Sequence, residues 1–166
     1  MKHCRVCNGA AKVTRGDYRF TESGLKSVVL KNVELVQCGD CGAVAPRIPR
    51  LDDLMRAIAL ALIAKPYKLR GEDIRFLRKY LRMNGCQFAK LLSVAKSTFS
   101  RWENDEQILG PQSDRLIRLV VLTLGEGLRE KADEVQRFLS AIKKSGRKVR
   151  LDVDPVKATV EYTVAA

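Results

Sequence analysis

Four of the five cysteines fall into two pairs, Cys4 with Cys7 and Cys38 with Cys41, separated by 30 residues. A CxxC turn presents two thiolates to one ion, and two such turns complete the tetrahedral shell that structural zinc prefers. Gly9 and Gly42 follow the pairs, where the backbone has to bend sharply around the sulfurs. Disulfides are disfavoured in a reducing compartment, and a redox motif needs only one pair at a helix start. Iron is the remaining alternative, since thiolates serve both metals. Four protein ligands close the shell and leave no position for a reacting water, so one structural Zn²⁺ is expected and hydrolysis at the metal is not. His3, beside Cys4, is read as solvated. Between the pairs, Lys12 to Tyr18 and Lys26 to Gln37 carry short alternating or β-branched runs, which read as strands. So few residues bury little area, and a metal ion would supply stability that a small core lacks.

Basic residues number 31 against 19 acidic ones in a chain of 166, a net charge of +12 that points to a polyanionic partner. The excess is not spread evenly. Residues 1–50 hold nine basic and four acidic side chains and 51–100 hold ten and four, whereas 101–146 are balanced at eight each. The longest apolar run, Ala57 to Ala64, is far short of the roughly 20 residues that span a bilayer. No membrane partner is expected. Lys2 is followed by cysteines and polar residues rather than an apolar stretch, so no secretory signal is read and a cytoplasmic location is expected. No nucleophile–base pair, carboxylate dyad or phosphate-cradling glycine loop is found, so the chain is expected not to be an enzyme.

From Leu51, apolar residues recur at Leu54, Met55, Ile58 and Leu62, an amphipathic helix ended by Pro66. Leu60 and Ile63 fall off that stripe, which suggests that two of its faces are buried. Residues 65–70 read as a short basic linker, giving a metal domain over 1–66, a helical domain over 67–126 and a tail over 127–166. The helix GEDIRFLRKYLRM turns Arg75, Lys79 and Arg82 to one side, a surface suited either to solvent or to phosphates. Two short helices follow, CQFAKLLSV and KSTFSRWEN, joined by a tight turn as in a helix-turn-helix. Phe99 and Trp102 are expected in the core with Leu91 and Val94, and Cys86 as a small buried apolar residue. Lys96, Ser97, Thr98, Ser100 and Arg101 form the candidate DNA-reading set, with Arg101 able to bond a guanine at two atoms. Pro111 opens another helix whose stripe, Leu116, Leu119, Val120 and Leu124, suits either a dimer contact or internal packing. A charged helix with Val135, Leu139 and Ile142 and a hairpin around Asp154-Pro155 complete the chain.

The segment LRMNGCQFAKLLSVAKSTFSRWEN resembles the Cro/C1-type helix-turn-helix, and its coupling to a CxxC, CxxC module resembles the MqsA family of antitoxin regulators, also called YgiT-type. The resemblance covers about residues 1–124. It implies an α+β chain, a small zinc-bound, β-rich N-terminal domain and then an all-α helix-turn-helix domain, to which the terminal alternation of apolar residues, outside the resemblance, adds a possible C-terminal β-hairpin. It also implies a homodimer that binds double-stranded DNA, represses its own promoter and neutralises a cognate toxin protein. Carried over, Cys4, Cys7, Cys38 and Cys41 hold the zinc, and Ser97 and Arg101 read bases. The departures are Ser97 in place of Asn, Gly85 in place of the usual Gln, Ser93 at the usual turn glycine and Ala95 at the helix cap. Asn bonds adenine at two atoms and a short hydroxyl does not, so the operator preference should differ. The alternative reading is a stand-alone zinc-containing regulator or protein-interaction module without a toxin.

Overall fold

The computed structural model describes residues 2–131, 142 and 149–164. Among these, six strands form one sheet whose hub is β3 (Val28–Cys38). One edge of β3 pairs antiparallel with β2 (Ala10–Arg19), from Ala11 opposite Cys38 to Arg19 opposite Val29. The register slips between Gly16 and Tyr18, where β3 has an extra residue and Asn32 takes a φ of 49°. Asp17 holds this bulge, accepting from the Asn32 N–H at 3.2 Å and from Lys31 Nζ at 2.7 Å. β1 (Lys2–His3) caps the start of β2. The other edge of β3 is shared end to end: β4 (Val44–Arg47) pairs with its second half, and β5 (Val149–Asp154) lies parallel to its first half.

β5 and β6 (Thr159–Val164) are the hairpin expected from the C-terminal alternation, and the structure places it inside the sheet of the cysteine module rather than as a tail. Asp154 Oδ1 shapes its turn by accepting the N–H groups of Val156 and Lys157, bonds that also hold the Asp154 carboxyl below the usual range. Val149, Leu151 and Val153 alternate inward and are buried. That periodicity of two was the legible signal; the strand they pair with, more than 100 residues earlier, was not. The charged helix expected around Val135 and Leu139 lies outside the described residues.

Five α-helices are described: α1 (Leu51–Ala64), α2 (Gly71–Tyr80), α3 (Gly85–Leu91), α4 (Lys96–Glu103) and α5 (Pro111–Leu124). α1 contacts β5 and β6 on one side and α2 and α5 on the other, which explains why Leu54, Ile58 and Leu62 are buried together with Ala59 and Ile63. Through α1 a single apolar core runs from Val28, Leu30, Leu151 and Val153 of the sheet to Ile74, Leu77, Phe88, Phe99 and Ile117 of the helices. No helix among the described residues is long and apolar enough to cross a membrane.

Residues 65–70, read above as a basic linker, are instead a packed strap. Tyr67 and Leu69 are buried, and Lys65, 3% exposed, pairs with the buried Asp73 at 2.6 Å. Arg118 of α5, 0% exposed, donates to the carbonyls of Ile63, Lys65 and Tyr67 at 2.6–2.7 Å and pairs through Nε with Asp114 at 2.9 Å. Asp114 in turn accepts the Leu69 N–H at 2.8 Å. Lys65 and the carbonyls of Lys65 and Tyr67 are bonded inside the protein, and one apolar core runs past the strap, so residue 66 does not divide it.

Removing one partner from such a site leaves a buried charge and orphaned carbonyls. Arg118→Ala is expected to lower the unfolding free energy by about 3–5 kcal/mol in urea titrations, while Arg15→Ala, which breaks a surface pair with Glu34, should change it by less than about 1 kcal/mol.

Candidate functional site

Cys4 and Cys7 lie on the knuckle between β1 and β2, and Cys38 and Cys41 on the one between β3 and β4; the antiparallel pairing of β2 with β3 brings the two together. The four Sγ atoms all lie within 4.8 Å of one another, with Cys4 to Cys41 at 3.6 Å and Cys7 to Cys38 at 3.4 Å. A tetrahedral ion with metal–sulfur bonds of about 2.3 Å needs sulfurs about 3.8 Å apart, so these residues can hold one metal ion. His3 is not in the cluster; its Nδ1 lies 3.2 Å from the Asn8 carbonyl oxygen. Cys4 and Cys38 are buried and Cys7 and Cys41 exposed, one of each kind from each knuckle.

The glycines act differently from one another. In the second knuckle Gly42 takes the left-handed conformation at φ 69°, as expected. In the first, Asn8 takes it at φ 60°, its N–H donating to the Cys4 carbonyl at 2.9 Å, and Gly9 is needed for room: a Cβ there would lie 1.9 Å from Oδ2 of Asp40. The knuckles thus press on each other through Gly9 and Asp40. Backbone N–H groups of Cys7 and Val6 lower the Cys4 thiol to about 6. At Cys7 the Gly9 N–H acts in the same direction, but the neighbouring sulfurs outweigh it and the thiol is pushed up to about 12. Cys41 is also raised: the Ala43 N–H and the Cys7 sulfur act to lower it, but the sulfurs of Cys38 and Cys4 and burial outweigh them. Gathering four thiolates without a cation is unfavourable, and a metal ion relieves that repulsion.

The second candidate region is the α3–α4 pair. Asn84 caps α3 reciprocally with Gln87, each side chain bonding the other's backbone N–H at 2.9 Å, so Gln87 supports the helix start. Ser93 adopts φ 55° in the turn, accepting a conformation that glycine adopts at less cost. Phe99 and Trp102 are buried as expected, with Phe88 5.4 Å from Phe99 between ring centroids. Leu91 does not join them. α3 turns Phe88, Ala89 and Leu92 inward, which carries Leu91 to the flank at 43% exposure, and Cys86, expected to be buried, is exposed on the first turn. Lys96, Ser97, Ser100 and Arg101 are exposed and Thr98 half-buried.

Arg75 does not form a free basic face with Lys79 and Arg82. It donates to the Glu103 carbonyl and to Asn104 Oδ1, both at 2.9 Å, while Arg78 pairs with the Glu103 carboxylate at 2.8 Å. Both fix the end of α4 to α2. Gly71 permits this: a Cβ there would lie 2.3 Å from the Glu103 carbonyl oxygen. An i, i+3 pair of arginines on a charged helix reads equally well as a solvated face, so no sequence signal marked these roles.

No family model, curated protein or solved structure matches this chain.

Metal uptake near pH 7 has to displace the protons held by Cys7 and Cys41, whereas Cys4 is already mostly thiolate. Affinity therefore rises with pH. Calorimetry of Zn²⁺ binding in two buffers of different ionisation enthalpy should show net proton release; equal heats in both buffers would contradict it.

Proposed function

We propose that this chain is a sequence-specific DNA-binding transcriptional regulator of antitoxin type: a zinc-containing homodimer that represses its own promoter and neutralises a cognate toxin. The observation that carries the DNA-binding part is the division of α4. Phe99 and Trp102 anchor it to the core, while Lys96 and Arg101 face outward without an ion pair among the described residues. Cations left unpaired next to two hydroxyls, on a helix clamped at its far end, suit phosphate and base-edge contacts. In this reading α3 and α4 are the helix-turn-helix, and Lys96, Ser97, Thr98, Ser100 and Arg101 lie in the major groove.

Zinc is the ion this reading assigns to the four thiolates, since an all-cysteine closed shell is its usual structural site. It holds the knuckles together and performs no chemistry. Dimerisation is supported by α5, where Ile117, Val121 and Leu122 are buried but Leu116, Leu119 and Leu124 remain 43–49% exposed. Three leucines left on one surface helix are suited to a two-fold partner. The toxin rests on the resemblance alone, and its test is relief by this chain of growth arrest caused by the product of a neighbouring reading frame.

Two measurements address DNA binding and dimerisation. In fluorescence anisotropy on the chain's own upstream DNA, Arg101→Ala should cost about 1–3 kcal/mol on the operator and little on random duplex, whereas Lys79→Ala should weaken both alike. Equal losses for Arg101→Ala on both duplexes would contradict base reading. Leu119→Glu should shift sedimentation equilibrium from dimer to monomer without changing the circular dichroism spectrum; an unchanged dimer would move the interface off α5.

A further inference from the structure

The sulfur cluster has a second chemistry that metal binding does not use. Two sulfur–sulfur contacts join the knuckles, Cys4 with Cys41 at 3.6 Å and Cys7 with Cys38 at 3.4 Å, and each matches a buried thiol with an exposed one. A disulfide needs its sulfurs at about 2 Å, so each contact has about 1.5 Å to close.

The backbone, not the sulfurs, sets this approach. Ala11 pairs with Cys38 in the β2–β3 register, the Gly39 N–H donates to the Ala10 carbonyl at 3.3 Å, and Gly9 leaves room for Asp40 of the opposite knuckle. Each knuckle is also closed on itself, the Cys4 N–H donating to the Gly9 carbonyl and the Cys38 N–H to the Ala43 carbonyl, both at 2.9 Å. The thiols are thus gathered by main-chain bonds that contain no metal. Four gathered thiolates repel one another, and two events relieve that: a cation among them, or loss of their charge by oxidation in pairs.

We propose that the four cysteines form a redox-exchangeable staple: reduced, they hold the metal ion, and a hydroperoxide converts them to two disulfides across the knuckles, Cys4–Cys41 and Cys7–Cys38, with release of the ion. An exposed thiolate, of Cys7 or Cys41, attacks one peroxide oxygen, and the O–O bond breaks to leave a sulfenic acid and hydroxide. The buried partner, Cys38 or Cys4, then displaces hydroxide from that sulfur and forms the S–S bond. With hydrogen peroxide, each pair of thiolates gives up two electrons to one peroxide, which takes two protons and leaves as two waters. A disulfide sulfur no longer carries the thiolate charge that binds the ion. The crosslinks join residues 37 and 31 positions apart and enclose β2 and β3, so they keep together what the ion held. Oxidation within one CxxC would tie each knuckle to itself and leave the two unlinked. Cys86 lies outside the cluster, exposed on α3, and reports ordinary thiol oxidation in the same molecule. Neither DNA nor a toxin enters the reaction.

The test treats the full-length, zinc-loaded protein with hydrogen peroxide, following ion release with a chromophoric chelator and free thiols by alkylation. Cleavage after Arg5 and before Asp40 separates the four cysteines, so mass spectrometry without reduction reads their pairing directly. One zinc should be released and four of the five thiols lost per chain, with Cys86 still alkylated, the two cross-knuckle disulfides formed and the circular dichroism spectrum retained. Dithiothreitol and fresh Zn²⁺ should restore the starting state. Cys7→Ser should form Cys4–Cys41 alone and leave Cys38 alkylated; if that variant misfolds, the pairing in the unmodified chain decides. The reduced, metal-free protein should give the same two disulfides, so a failure to load zinc would remove the zinc assigned above while the pairing is still decided. Three results would overturn the proposal: disulfides within Cys4–Cys7 or Cys38–Cys41, sulfinic or sulfonic acids in place of disulfides, or zinc retained at a peroxide dose that oxidises Cys86.

Discussion

Arg118 is the interaction on which the arrangement of both halves depends. A guanidinium taken wholly out of water is tolerated only when its donors find acceptors, and here the acceptors are the last carbonyls of α1 and those of the following strap, together with Asp114 one helical turn earlier. The carbonyls of Ile63 and Lys65 lie at and beyond the end of α1, which stops at Ala64 before the turn at Pro66, so Arg118 supplies donors that no further helical N–H provides. The cation and the helix end therefore satisfy each other. An apolar residue of similar volume could fill the space but not bond three backbone carbonyls and a carboxylate in one geometry, and this gives the site a role in fixing how α5 sits on α1.

From that point the constraints pass outward in a fixed order. Lys65 leaves the strap to pair with Asp73, which also accepts the Arg70 N–H and so sets the start of α2. Gly71 then lets α2 approach the end of α4 to contact distance, and its N–H donates to Asp105 at 2.7 Å. Arg75 and Arg78 close the contact from the next turn. The outward residues of α4 are thus held at one end by α2 and beneath by Phe99 and Trp102. On the other side of α1, the C-terminal hairpin completes the sheet that carries the cysteine knuckles. A parallel partner for β3 has to arrive after a long crossover, and the helices supply it.

What was legible in the sequence was whatever depends on near neighbours. The CxxC spacing located the four sulfurs, a period of 3.6 located α1, and a period of two located the hairpin. Phe99 and Trp102 could be turned inward because the two are three apart on one helix. Features that depend on distant partners were not legible. KPYKLR carries three cations and a proline, the composition of a solvated linker, and only the arrival of Asp73 and Leu109 makes it interior. Leu91 and Cys86 went wrong for a smaller reason: in a seven-residue helix, a shift of one position in its start moves every side chain by about 100°. Gly9 was singled out correctly but for its torsion, whereas its missing side chain is what matters.

The same distinction redistributes the charge. Of the ten basic residues between 51 and 100, six are engaged within the described protein: Arg56 with Asp53, Lys65 with Asp73, Lys68 with the Leu109 carbonyl, Arg70 with Asp105, and Arg75 and Arg78 at the end of α4. A count of side chains treats all ten alike, but a cation already in an ion pair contributes little to the field felt by a partner, and Lys68 and Arg75, which keep their charge, are fastened to neutral oxygens and less free to reach one. The four left over, Lys79, Arg82, Lys90 and Lys96, are all exposed and fall between the second half of α2 and the start of α4, with Arg101 following on α4 itself. Non-specific attraction to a polyanion scales with the cations that meet its phosphates, not with the total. Between residues 51 and 101 the unengaged cations therefore reduce to five side chains in one stretch of 23 residues, from 79 to 101.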